Sequence, residues 1–79
     1  MDESQADFTL DLSGLLCPLP VLKARKKLQM MKPGEVLQII ATDAMAAIDM
    51  PHFCAEQGHT LLRQDKTGDA LIFWIRRAP

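Results

Sequence analysis

Apolar and polar residues alternate over Phe8-Thr9-Leu10-Asp11-Leu12, and that period of two predicts a half-buried strand. Ser13-Gly14 breaks the pattern and turns the chain. Over 20–32 the apolar positions Val21, Ala24, Leu28 and Met31 recur at three- and four-residue intervals, the stripe of an amphipathic helix. Lys32-Pro33-Gly34-Glu35 stops it. Val36-Leu37-Gln38-Ile39-Ile40-Ala41 is then nearly all apolar, as suits a buried parallel strand. Strand, helix and strand form a βαβ unit, for which a right-handed crossover is expected.

Thr42-Asp43 predicts the cap of a second helix over 44–57, with Gly58 as its stop. Pro51 lies inside it and predicts a kink or restart near Asp49. Met45, Ile48, Phe53 and Cys54 are expected to face the sheet. Segments 59–65 and 70–76 read as two strands, and the polar turn Lys66-Thr67-Gly68-Asp69 makes them a hairpin. Trp74 is expected to cover one sheet face. The order βαβαββ predicts an α/β (α+β) two-layer sandwich, a four-stranded mixed sheet with two helices on one face and the other face partly exposed. Residues 1–7 read as a flexible N-terminal segment and 8–79 as a single domain.

Size and charge narrow the function. A chain of 79 residues buries only about 60% of its unfolded surface, so two layers are its ceiling. A net charge of −1 gives no footprint for direct nucleic-acid binding. No apolar run approaches the roughly 20 residues of a membrane span, and Met1-Asp2-Glu3 lacks the basic start of a signal peptide. A cytoplasmic protein is expected.

The chemistry centres on Leu15-Leu16-Cys17-Pro18-Leu19-Pro20. Each proline suits a helix's first turn, while the residue before a proline is pushed towards extended backbone. The first helix therefore starts at Pro18 or at Pro20, and in both cases Cys17 stands at or just before its N-terminus. The partial positive charge there favours thiolate. Pro18 and Pro20 remove two donors, and Leu15, Leu16 and Leu19 add apolar surface, which disfavours charge. The balance predicts a moderately activated thiol; the alternative is a small buried hydrophobe that happens to precede a helix. Most of the charge of Lys23, Arg25, Lys26 and Lys27 lies too far along the helix to matter for the sulfur's pKa. Lys23 is about 9 Å and Lys27 about 15 Å away, against a Debye length of about 8 Å. They form either a solvated basic face or one that attracts an acidic partner surface.

The second cysteine, Cys54, reads as core rather than chemistry. Cys17 and Cys54 lack the CxxC spacing of a redox or zinc motif, and a reducing compartment argues against a permanent disulfide. A zinc site would have to draw Cys17, Cys54, His52 and His59 from separated segments. No role is assigned to His52 or His59. The sequence holds no Gly-rich phosphate loop, Ser-His-Asp set, carboxylate pair or internal repeat.

Asp11-x-x-Gly14-x-x-Cys17-Pro18-x-Pro20 resembles the signature of the TusA (SirA-like) sulfur-carrier family. Met31-Lys32-Pro33-Gly34-Glu35 and Ile40-Ala41-Thr42-Asp43 follow in register. Asp49-Met50-Pro51-His52-Phe53-Cys54 with Gly58-His59 is similar to the family's Asp-Ile-Pro helix. The likeness runs from Phe8 to Arg77. Leu16 replaces the polar or basic residue often found before the cysteine, and Thr42-Asp43-Ala44 lacks the Asp-Asp-Pro or Asp-Pro of many members. The resemblance implies the βαβαββ fold and a cysteine, matching Cys17, that carries sulfane sulfur as a persulfide, supported by Asp11, Gly14, Pro18, Leu19 and Pro20. It implies a cysteine desulfurase or rhodanese-type donor and a downstream sulfur-acceptor protein, in tRNA 2-thiouridine formation, molybdenum-cofactor supply or other sulfur trafficking. Partner contacts are expected at Leu22, Lys23, Arg25 and Asp43. No cofactor or metal is expected, the chain is expected to be a monomer, and alone it turns over no substrate. Two competing readings remain: a non-covalent regulatory adaptor, which would tolerate Cys17→Ser, and a thiol redox protein using Cys17 with Cys54.

Overall fold

The computed structural model describes residues 5–79, as six elements: β1 (Phe8–Leu12), α1 (Leu19–Gln29), β2 (Val36–Ala41), α2 (Ala46–Gln57), β3 (Thr60–Thr67) and β4 (Ala70–Arg76). The four strands form one mixed sheet in the order β1-β2-β4-β3. β1 runs parallel to β2, with Phe8 opposite Leu37 and Leu12 opposite Ala41. β4 is antiparallel to both β2 and β3, and an irregularity falls between Leu61 and Arg63. The period of two in β2 sends Leu37, Ile39 and Ala41 to one face, where they meet Leu12, Leu71, Phe73 and Ile75. Both helices bury their stripes on that layer, Ala24 and Leu28 from α1 and Ala46, Met50, Phe53 and Cys54 from α2. This is the expected two-layer sandwich.

The other sheet face carries Trp74, which is buried there with the Arg63 guanidinium 5.1 Å from its ring centre. Thr9 Oγ1 and Gln38 Oε1 meet across the same face at 3.2 Å. Of the N-terminal segment expected to be flexible, residues 1–4 lie outside the described residues. Asp7 is tied to β2: its N–H donates to Val36 O at 2.9 Å, and its carboxylate accepts from Val36 N at 2.8 Å.

Several boundaries differ from the sequence reading. α1 begins at Leu19, between the two prolines rather than on one of them, with Pro18 as its N-cap. The Leu19 N–H donates to Leu16 O at 2.9 Å, and Pro20, at the second helical position, needs no intrahelical donor. At its other end α1 stops at Gln29, not Lys32. Met30 and Met31 tighten into bonds to Lys27 O and Leu28 O, and the Lys32 N–H goes to Glu35 Oε1 at 2.6 Å. Met31 stays buried.

α2 begins at Ala46 rather than residue 44, because the chain first winds tightly. Ala46, Ala47 and Ile48 donate to the carbonyls three residues back. That tight turn turns Met45 and Ile48 out to solvent, against the expectation that they face the sheet; Ala46 and Met50 take their places. The restart expected near Asp49 is absent. Pro51 sits inside one unbroken helix, and the only main-chain bond it forgoes is the one to Ala47 O. The hairpin turn is also shorter than expected, since β3 continues through Lys66 and Thr67 and leaves Gly68-Asp69 as the turn. His59 precedes β3 rather than opening it.

Candidate functional site

Three segments meet at the start of α1. The first is the turn after β1. Asp11 Oδ1 accepts from Ser13 N at 3.0 Å and from Ser13 Oγ at 2.6 Å, and these bonds hold the Asp11 carboxyl below its usual pKa. Gly14 follows at φ 83°, a left-handed conformation open to glycine at little cost. Its N–H donates to Thr42 Oγ1 at 2.8 Å, which ties this turn to the end of β2.

The second segment is Leu16-Cys17-Pro18, whose Cys17–Pro18 peptide is cis. Cys17 is exposed, and its N–H donates to Asp43 Oδ2 at 2.6 Å. Asp43, on the third segment, uses its other oxygen to accept from Met45 N at 3.1 Å. One carboxylate thus fixes both the cysteine's main chain and the turn that opens α2. Among the positions singled out by sequence, Pro18 caps α1, Pro20 is buried beneath it, and Leu19, Leu22, Lys23 and Arg25 are exposed along its surface. Asp43 is half-buried; its carboxylate is engaged within the chain.

The environment of the thiol departs from the sequence reading. The neighbouring Asp49 carboxylate, on α2, favours the protonated thiol and raises the Cys17 pKa above the ordinary cysteine value; desolvation and the charges of Asp49 and Asp43 push the same way. The helix N-terminus was expected to lower it. Two of that end's donors are replaced by proline nitrogens, and the carboxylates of Asp49 and Asp43 push the thiol the other way. Cys17 and Asp49 share a cavity of about 240 Å³ with Val21, His52, Phe53 and Glu56. His52 Nε2 lies 3.3 Å from Glu56 Oε1. The segments that flank Cys17 and open α2 expose large apolar side chains: Leu16 (68%) beside Cys17, Leu19 and Leu22 on α1, and Met45 and Ile48 (65%) at the start of α2.

Over residues 8–77 the chain matches the family described as sulfurtransferase TusA. It belongs to the TusA family. The sulfur carrier protein TusA of Pseudomonas entomophila is 42% identical over 71 residues, which cover 90% of this chain and 89% of that one. The putative sulfur carrier protein YrkI of Bacillus subtilis is 37% identical over 73 residues, 92% of this chain and 97% of that one. The crystal structure of a SirA-like protein from Desulfitobacterium hafniense matches with a TM-score of 0.79 over 91% of this chain and 99% of that chain. At 20% identity it shows the shared fold.

Asp49, His52 and Glu56 are the site residues that sequence reasoning passed over. The signal was present: 49, 52, 53 and 56 follow the i, i+3, i+4, i+7 spacing of one helix face, and Asp49 opens the Asp-Met-Pro segment that resembles the family's motif. Cys54 is not brought to the site. It is 2% exposed in the core, where burial pushes its thiol up to about 11. Among the described residues no group of three or more His, Cys, Asp or Glu is placed to hold a metal ion, and no helix is long and apolar enough to cross a membrane.

Proposed function

We propose that this protein is a sulfur carrier that accepts sulfane sulfur on Cys17 as a persulfide and passes it to an acceptor protein. The observation that supports it is the presentation of Cys17. It is the exposed one of the two free thiols, held through its main chain by Asp43 and flanked in the chain by exposed Leu16 and Leu19, apolar surface suited to transient docking. The relatives named as sulfur carriers lend the chemistry.

In loading, the Cys17 sulfur attacks the outer sulfur of a donor persulfide. The new S–S bond forms at Cys17, the donor's S–S bond breaks, the donor leaves as thiolate, and the proton lost by Cys17 returns to it. In unloading, an acceptor thiolate repeats the attack and Cys17 is the leaving group. Sulfur changes hands with no net oxidant and no cofactor, so the chain is a stoichiometric carrier whose turnover depends on partners. A cysteine desulfurase or a rhodanese-type protein supplies the donor. Acceptors in tRNA thiolation, molybdenum-cofactor supply or other sulfur trafficking fit the same step. Leu22, Lys23 and Arg25, exposed on α1, are the proposed partner contacts, with Asp43 as the group that orients the Cys17 main chain. A monomer in a reducing cytoplasm suits an exposed free thiol.

The test is intact-mass spectrometry after incubation with a cysteine desulfurase and L-cysteine, and separately with a rhodanese and thiosulfate. The expected result is a gain of one sulfur atom that reductant removes and Cys17→Ala abolishes. No gain from either donor contradicts the carrier reading. Partner-dependent function that survives Cys17→Ser would favour the adaptor instead.

A further inference from the structure

Cys17 is flanked by two carboxylates of one stretch of chain. Asp43, before α2, takes the Cys17 N–H at 2.6 Å, and Asp49, on α2, lines the same cavity as Cys17 and pushes its pKa up. The cavity they border is lined by Val21, His52, Phe53 and Glu56. Every carboxylate there is on the side of α2, and the one neighbouring group able to carry positive charge, His52, is already paired with Glu56. Among the described residues, no lysine or arginine lines this cavity.

We propose that Asp49 is a positioning residue for Cys17: its carboxylate, which borders the same cavity between α1 and α2, holds the unloaded thiol over that cavity and restrains it from small electrophiles until a partner displaces it. The purpose of the restraint rests on the carrier reading above; the contact itself does not. An exposed cysteine that must meet partners is also open to oxidants and alkylating agents, all of which attack the thiolate. A protonated thiol resists them. Once its proton is released, the same high-pKa sulfur is the stronger nucleophile, so restraint in the free protein does not weaken it in the docked one.

The test follows iodoacetamide labelling of Cys17 by peptide mass, from pH 6 to 10, in wild type and Asp49→Asn. The substitution keeps shape and an acceptor but removes the charge. The expected result is a lower midpoint in Asp49→Asn. Each tenfold gain in thiolate is partly offset by weaker nucleophilicity (Brønsted slope about 0.4–0.5), so labelling at pH 7 quickens about threefold for each unit of fall. An unchanged or higher midpoint overturns the proposal. Should Asp49→Asn fail to fold, the S–H stretch of the wild-type Cys17, assigned by its loss in Cys17→Ser, decides. A band below that of free cysteine supports the contact, and one at or above it overturns it. Neither readout involves sulfur transfer. A protein that fails to load sulfur but shows the shifted midpoint loses the carrier reading alone, while one that loads but shows no shift loses this proposal alone.

Discussion

The two cysteines form an internal control. Cys17 stands in solvent before the first turn of α1, while Cys54 lies on the inner face of α2, packed in the core with Phe53 and Met50. Both thiols are held above the usual cysteine pKa, for different reasons. Cys54 is raised by burial. Cys17 is raised mainly by one neighbouring carboxylate, that of Asp49. Burial is a property of the whole fold and yields only when the fold opens, whereas a single surface contact can be exchanged for a partner's. The raised pKa alone therefore does not separate an inert cysteine from a usable one; access and the source of the shift do.

Native-state alkylation should break the comparison if it is wrong. Cys17 labels directly, and Cys54 only through opening of the core, at least about a thousandfold slower. Comparable labelling of both would refute the contrast. Stability shows the reverse order. Cys54→Ser places a hydroxyl in an apolar core and costs about 1–3 kcal/mol, while Cys17→Ser stays within about 0.5 kcal/mol, as exposed substitutions do; urea unfolding measures both. Asp43→Ala removes the acceptor for two main-chain donors and costs about 1 kcal/mol, the scale of a lost cap.

The smallest effect comes from His59, next to the Cys54 side of the core. Its ring is 5.6 Å from that of Phe53, and its Nδ1 accepts from Ala78 N at 2.9 Å. Burial first, and the Arg77 charge second, lower its pKa below 6.5. The folded protein thus binds that proton less readily than the unfolded chain. Its contribution is present above pH 6.5 and is lost as pH falls through the lower folded value. The expected outcome is a Tm that drops from pH 7.5 to 5.5 by less in His59→Asn than in wild type. An equal drop in both would remove His59 from the account.

Much of this was legible in the chain because two periodicities and a few glycines and prolines fix it. The alternation in β1, the apolar run of β2 and the α1 stripe all lead to the observed layers. The place of Cys17 just ahead of the first helix was legible from its two prolines. What escaped came from tertiary contact. The tight winding at 43–48 shifts the phase of α2 and turns Met45 and Ile48 outward, and no local pattern announces it. Pro51 is a breaker by propensity, yet packing of Met50, Phe53 and Cys54 holds the helix through it. The effect of Asp49 on Cys17 joins residues 32 positions apart, so a reading based on the helix end next to the cysteine arrived at the opposite sign.

The most direct measurement of the central claim is sulfur loading compared side by side in wild type, Cys54→Ala and Cys17→Ala, with intact mass as readout after exposure to a persulfide donor. The account predicts one added, reductant-labile sulfur on the first two and none on the third. Loading that persists in Cys17→Ala, or that disappears in a folded Cys54→Ala, would contradict it.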